Sequence, residues 1–127
     1  MTRPKGIRNK KGESWLPYDE KYLISNFGRW YSLKHRKIIK QFKNNSGYYR
    51  ANLSYQGKTI NVFTHIKVVE LFGDKNGNRI PAGAVSLREH GLSIDHVSRK
   101  KRDNAIFNLE LVTHQENCAR KFLMKTA

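Results

Sequence analysis

The sequence predicts an α+β fold in which antiparallel strands lead into a strand, loop, strand and helix unit. Three observations carry that prediction. Between residues 22 and 63, short β-prone runs alternate with turn residues. Helical spacing of apolar residues starts only after Thr64 and again after Thr113. The whole chain is 127 residues, room for one compact domain with a modest core and no second catalytic unit.

Residues 1–13 combine Lys and Arg with Gly, Pro and almost no apolar side chains, and are expected to form a flexible basic arm. From Trp15 the texture changes. Tyr22 to Leu33 reads as a hairpin turning at Ser25-Asn-Phe-Gly28, where Asn and Gly tolerate a positive φ. Strands are expected over Lys37–Phe42, Tyr48–Tyr55 and Lys58–Phe63, separated by Asn44-Asn-Ser-Gly47 and Gln56-Gly57, in one small sheet. In the Tyr48–Tyr55 run Tyr49, Ala51, Leu53 and Tyr55 alternate with Arg50, Asn52 and Ser54, so one face packs and the other meets water or a ligand. Thr64 is placed to cap a short helix carrying Ile66, Val69 and Phe72 and closed by Gly73. Residues 74–91 form a polar, Gly-rich excursion. A strand at Leu92–His96, a basic loop from Val97 to Phe107 and a return strand at Leu109–Val112 follow. Thr113-His-Gln-Glu116 is a capping-box pattern, and the last helix should run from His114 to about Met124.

Charge narrows the function classes. With 25 Lys+Arg against 10 Asp+Glu the net charge is +15, while six Phe, six Tyr and two Trp are too many for a disordered polycation. The expected partner is a polyanion, nucleic acid first. The one cysteine, Cys118, allows neither an intramolecular disulfide nor a Cys-based zinc cage, and it reads as a small buried residue. Any metal must then sit on His, Asp, Glu or Asn. No apolar run approaches 18 residues and no secretory leader opens the chain, so a soluble cytoplasmic monomer without membrane partners is expected.

The chemistry concentrates in residues 92–118. Asp95-His96 ends one strand, and Asn117 lies in the first turn of the helix that follows the next strand. That connectivity folds a strand end and a helix start toward a common point, where Asp95 and Asn117 can offer hard oxygens to Mg²⁺ or Mn²⁺. His96, with an ordinary pKa of about 6.5, suits proton removal from water near neutral pH.

Ile94-Asp-His96, Asp103-Asn104, Asn108-Leu-Glu-Leu-Val-Thr113 and Glu116-Asn117 resemble the HNH endonucleases, with spacing H-x11-N-x8-N and Asn in the last motif position. Upstream, Trp15-Leu-Pro and Tyr22-Leu-Ile-Ser-Asn-Phe-Gly-Arg-Trp-Tyr-Ser32 resemble the NUMOD4-type module of phage homing endonucleases. Gly47-Tyr-Tyr-Arg-Ala-Asn-Leu53 and Thr64-His-Ile-Lys-Val-Val-Glu-Leu-Phe72 resemble the hairpin and helix that lead into the motif. The implied organisation is a basic arm at 1–13, a NUMOD4-like antiparallel sheet module at 14–57 and a ββα-metal nuclease region at 58–127.

The resemblance implies a metal-dependent DNA endonuclease, phage-encoded and acting in the host cytoplasm. Asp95 and Asn117 would bind one divalent cation, Mg²⁺ or Mn²⁺, His96 would be the general base, and Asn108 would brace the loop. His114 has two readings: a third ligand or phosphate contact, and an ordinary helix-start residue. His65 and Asn104 are expected in supporting roles. Arg99, Lys100, Lys101 and Arg102 beside the site, and Arg3, Lys5, Arg8, Lys10 and Lys11 in the arm, are candidate DNA contacts. The chain departs from the pattern in its long 74–91 link, in Lys67 at a commonly apolar position, and in ending ten residues after Asn117. Limited sequence specificity is therefore expected. A non-catalytic DNA-binding module carrying a relic of the motif is the alternative.

Overall fold

In the computed structural model, which describes residue 4, residues 6–80 and residues 87–126, nine short strands form three antiparallel sheets, accompanied by two α-helices. Arg3 and Lys5 of the expected arm, and residues 81–86 of the expected excursion, lie outside the described residues. Strands β1 (Trp15–Pro17), β2 (Tyr22–Ser25), β3 (Trp30–Ser32) and β4 (Lys37–Ile38) make the first sheet in sequential order. Strands β5 (Phe42–Lys43), β6 (Tyr49–Tyr55) and β7 (Lys58–Phe63) make the second, followed by α1 (Thr64–Phe72). Strands β8 (Leu92–His96) and β9 (Leu109–Thr113) pair alone, and α2 (His114–Thr126) packs on both.

Local chemistry accounts for most of these elements. Gln56 (φ 49°) and Gly57 (φ 76°) both take positive φ, the two-residue turn whose twist matches a hairpin, and so set β6 against β7 with Leu53 opposite Ile60. Asn44 closes the turn before β6 by accepting the Ser46 and Tyr48 amides on Oδ1 at 3.0 and 2.9 Å. The Thr113 half of the expected capping box forms: its Oγ1 accepts the Glu116 N–H at 3.0 Å, and it donates to the Glu116 carboxylate at 3.1 Å.

A single cluster joins all three sheets. Tyr22, Ile24 and Trp30 from the first, Ala51, Leu53 and Val62 from the second, Val68 and Val69 from α1, and Ile94 and Leu109 from the β8–β9 pair bury one another. The alternation expected for β6 holds at Ala51 and Leu53, but Tyr55 at the strand end is exposed. Polar groups crossing this core are paired: Trp30 Nε1 donates to Thr64 Oγ1 at 3.0 Å, and the Tyr22 hydroxyl accepts the Ser54 amide at 2.8 Å. Asp74, buried just after α1, accepts the Asn76, Asn78 and Leu111 amides, so the start of the excursion is anchored to β9.

Three expectations are corrected. The run Lys37–Phe42 is not one strand: β4 and β5 belong to different sheets, because Gln41 turns inward, donating to Gly28 O at 2.8 Å and pairing with Thr64. Thr64 does not cap α1; Phe63 holds the cap position and the Thr64 hydroxyl is drawn into the core by Trp30 and Gln41. Residues 7–13 are not a free arm. Ile7 packs with Trp15, Leu23 and Tyr31, Asn9 accepts the Trp15 indole N–H, and buried Glu13 receives Arg29 Nε at 2.9 Å. Burial alone would raise the Glu13 carboxyl, yet Arg29 and the Lys10 amide hold it below the ordinary carboxylate range. Arg8, Lys10 and Lys11 nevertheless keep exposed side chains.

Leu53 is 1% exposed at the centre of the joined core. Leu53→Ala is expected to cost about 2–5 kcal/mol, read as a lower midpoint in urea denaturation with an unchanged slope.

Candidate active site

The register of the β8–β9 pair sets Asp95 opposite Glu110 and His96 opposite Leu109, at the end of the ladder from which the basic loop departs. One turn into α2, Asn117 comes over the same end. Asp95, His96 and Asn117, all buried as residues, line a cleft of about 200 Å³ together with Tyr48, Ile94, Arg99, Lys101 and Lys121. Two of the expected site residues hold the loop behind it. Asn108 Oδ1 accepts the Ser98 amide at 2.8 Å and its Nδ2 donates to Asp103 O at 2.9 Å, spanning the loop from both sides. Asn104, buried, sets its Oδ1 2.7 Å from His96 Nε2. A carboxamide oxygen only accepts, so His96 carries its proton on Nε2 and, when neutral, leaves Nδ1 as the acceptor.

Each oxygen of the Asp95 carboxylate takes one guanidinium donor, Arg99 Nη1 at 2.8 Å and Arg120 Nη1 at 3.1 Å, and keeps a further lone pair. Arg120 also pairs with Glu110, bridging α2, β8 and β9. Asn117 Oδ1, by contrast, is buried with no hydrogen-bond partner among the described residues. A buried carbonyl oxygen left without a donor costs about 1–3 kcal/mol, and a hard cation beside a carboxylate satisfies it. Among the described residues no cluster of three or more His, Cys, Asp or Glu side chains is placed for a metal. The donor set is one carboxylate and one amide oxygen, which suits Mg²⁺, an ion that keeps most of its coordination for water and phosphate.

Three rings cluster at the cleft, two of them stacked. Tyr48 lies on His65 with centroids 4.9 Å apart, and His65 lies 5.2 Å from His96. Burial, with His96 adding, lowers the His65 pKa to about 3, and its Nδ1 has no partner among the described residues. Burial also pushes His96 below its ordinary value, assisted by Lys101 and opposed by Asn104 and Asp95. Both rings are neutral near pH 7.

The charge run Arg99–Arg102 is divided in use. Arg99, in the left-handed region at φ 69°, turns onto Asp95; Lys101 donates to Ser46 O at 2.7 Å and lies over the Tyr48 ring at 4.6 Å. Lys100 and Arg102 are exposed, and all four join Lys43, Gly47 and Tyr49 around a shallow basic groove of about 490 Å³ that shares Arg99 and Lys101 with the cleft.

Other expected residues fall elsewhere. His114 does not line the cleft: its ring faces Ser93 Oγ at 3.2 Å and Cys118 Sγ at 3.6 Å, because it starts α2 on the side turned toward the first residues of β8. Cys118, expected buried, is exposed. Lys10 lies 5.9 Å over the Phe27 ring and does not line the cleft. Sequence reasoning missed Arg120 and Lys121, although positions three and four beyond Asn117 share its helix face. Tyr48, which the sequence places only at the start of a strand, walls the cleft.

Comparison with known proteins matches residues 13–54 to the NUMOD4 motif and residues 62–119 to the HNH endonuclease family. The chain is 28% identical over 102 residues to the H-N-H endonuclease F-TflII of Escherichia phage T5, covering 80% of this chain and 48% of that protein. It is 30% identical over 118 residues to the uncharacterized HNH endonuclease L247 of Acanthamoeba polyphaga mimivirus, covering 86% and 26%. A solved structure described as DNA binding and cleavage by the HNH homing endonuclease I-HmuI superposes with a TM-score of 0.70 at 29% identity, over 90% of this chain and 60% of that one. The chain thus spans half or less of the length of these two sequence relatives. The α+β architecture with its ββα unit is the one expected from the sequence.

His65 gives a pH signature. Its folded pKa of about 3 lies below the ordinary 6.5, so between these values the unfolded chain binds a proton that the folded chain refuses. Stability from this group is complete above pH 6.5 and is lost as pH falls toward 3; between pH 7 and pH 5 it drops by about 2 kcal/mol. Urea denaturation at the two pH values should show that loss, and the pH dependence should flatten by the same amount in His65→Phe.

Proposed function

We propose that this chain, whose residues 62–119 belong to the HNH endonuclease family behind a NUMOD4 motif at 13–54, hydrolyses DNA phosphodiester bonds with one divalent cation. The observation that carries the reading is the pairing, in one cleft, of the partnerless Asn117 Oδ1 with the Asp95 carboxylate, next to an imidazole whose Nε2–H is already committed.

Asp95 and Asn117 would hold the cation, Mg²⁺ or Mn²⁺. When bound, it supplies Lewis-acid stabilisation of the negative charge that grows on the scissile phosphate and the leaving oxygen. The remaining work falls to the chain itself. His96 accepts a proton from water on Nδ1 as the water oxygen attacks phosphorus and the P–O3′ bond breaks, leaving a 5′ phosphate and a 3′ hydroxyl that takes its proton from solvent. Burial keeps the imidazole neutral at neutral pH, the form a general base requires. Asn104 holds the tautomer, and Asn108 braces the loop between Asp95-His96 and β9. Lys101 and Lys121 on the cleft wall, and Lys43, Lys100 and Arg102 along the adjoining groove, give the sugar-phosphate backbone a cationic track leading into the site. The exposed Arg8, Lys10 and Lys11 extend the positive surface over the first sheet, and the preference for sequence is modest.

Supercoiled plasmid should relax in the presence of Mg²⁺ or Mn²⁺ and stay supercoiled with EDTA, and His96→Ala should abolish the relaxation. Retarded mobility without cleavage in either metal would instead leave a DNA-binding module with a relic motif. Affinity for duplex DNA should fall with salt at a log–log slope of about −0.9 per phosphate contacted, and Lys100→Ala with Arg102→Ala should flatten that slope by about two contacts.

A further inference from the structure

The turn that joins β2 to β3 lies in the NUMOD4 segment, far in sequence from the Asp-His pair, yet it meets the loop that carries Asn104. Three contacts make this seam. Ile106 N donates to Asn26 O at 2.9 Å. The Phe27 and Phe107 rings meet edge to face at 5.9 Å. Gly28 approaches Asn104 so closely that a Cβ built on it would stand 2.8 Å from Asn104 Cβ and 3.1 Å from its backbone oxygen. Those atoms belong to the root of the side chain and the backbone, so a Cβ there is accommodated only by moving Asn104 itself.

The turn side of the seam is held by a dense set of hydrogen bonds. Wholly buried Ser25 accepts the Phe27 and Arg29 amides on its hydroxyl at 3.2 and 3.1 Å, and the Gly28 amide donates to its carbonyl at 2.9 Å. Asn26 reaches back to Gly12 O at 3.1 Å and accepts the Ser14 amide at 2.9 Å, while Gln41 binds Gly28 O at 2.8 Å. Gly28 holds φ +81°, which side-chain-bearing residues rarely adopt. Beyond the seam, the Asn104 amide ends 2.7 Å from His96 Nε2.

We infer that the Ser25–Gly28 turn is part of the catalytic apparatus, with Gly28 and Asn104 acting as positioning residues that set the ring orientation and tautomer of His96. The NUMOD4 segment thereby acts on turnover as well as on any DNA contact it makes. This rests on the reading of His96 as the general base. Gly28→Ala pushes Asn104 off its place, and the loss at His96 follows from displacement alone, without any change in the groups that face the cleft.

The test is a cycle of Gly28→Ala, Asn104→Ala and their double variant in the full chain, with kcat and KM on plasmid and DNA affinity by mobility shift. Each single variant should lower kcat by about 10²-fold, the scale on which a displacement near 1 Å acts, with KM and DNA affinity unchanged. The double variant should be no slower than Asn104→Ala, since Gly28 acts through an amide no longer there. Asn104→Asp, which keeps an oxygen to accept the Nε2 proton, should restore turnover, so the relation is tested even if Gly28→Ala does not fold. Wild-type kcat in Asn104→Ala, or multiplied losses in the double variant, would overturn the inference. Nitrogen-15 spectra of the His96 ring give a readout independent of cleavage: wild type should be the Nε2–H tautomer, and Asn104→Ala should shift toward a mixture. If wild type cleaves nothing, the nuclease reading fails, and an unaltered tautomer in Asn104→Ala sinks the positioning separately.

Discussion

Inside the core, Trp30 donates its indole N–H to Thr64 Oγ1, and this buried bond links the first sheet to the helix that follows the second. An indole wholly removed from water costs stability unless its donor is satisfied, so the position of Thr64 follows from that of Trp30. Around the pair, residues from every sheet and from α1 share one cluster, and Ile94 and Leu109 bring the β8–β9 pair into it. The two-stranded β8–β9 sheet has no third strand to stabilise it and depends on this packing and on α2. Everything that lines the cleft inherits its position from there.

Electrostatics in the cleft are uneven in an instructive way. A chain of net charge +15 buries a carboxylate, Asp95, only by giving each of its oxygens a guanidinium, one from the following loop and one from α2. The neighbouring Asn117 oxygen receives no donor among the described residues. The Asp95 oxygens each keep a lone pair beyond their guanidinium, and the Asn117 oxygen is left wholly for a ligand. The two imidazoles stay neutral because burial penalises their charged form, with His96 adding to the effect at His65 and Lys101 adding to it at His96. The excess positive charge lies outward, in the groove shared by the basic loop and the β5–β6 hairpin.

Much of the fold was legible because its causes are local. The hairpin turn at Gln56-Gly57, the capping box at Thr113 and the strand, loop, strand, helix order of residues 92–126 each rest on residues a few positions apart. Thr64 failed as a cap for the opposite reason: a hydroxyl that is free in sequence terms was claimed by Trp30 and Gln41 from other elements. The break between β4 and β5 has the same origin, since Gln41 leaves the strand to bind Gly28 and Thr64. Residues 7–13 read as a basic arm because Arg8, Lys10 and Lys11 masked what Ile7, Asn9 and Glu13 do once Trp15 and Arg29 are beside them.

At the candidate site the division is sharper. Spacing alone put Asp95, His96, Asn108 and Asn117 on one strand, loop and helix unit, because backbone geometry carries side chains at such short separations to predictable faces. It could not reveal Tyr48 and His65 stacked behind His96, the reach of Arg120 to Asp95 and Glu110, or the close approach of Gly28 to Asn104. Local turns and helix starts could be read along the chain, because backbone sterics and hydrogen bonds between near neighbours set them. Which distant side chains share the cleft emerges on folding, because it follows from how the sheets close over one apolar core, and burial then dictates which polar groups must find partners.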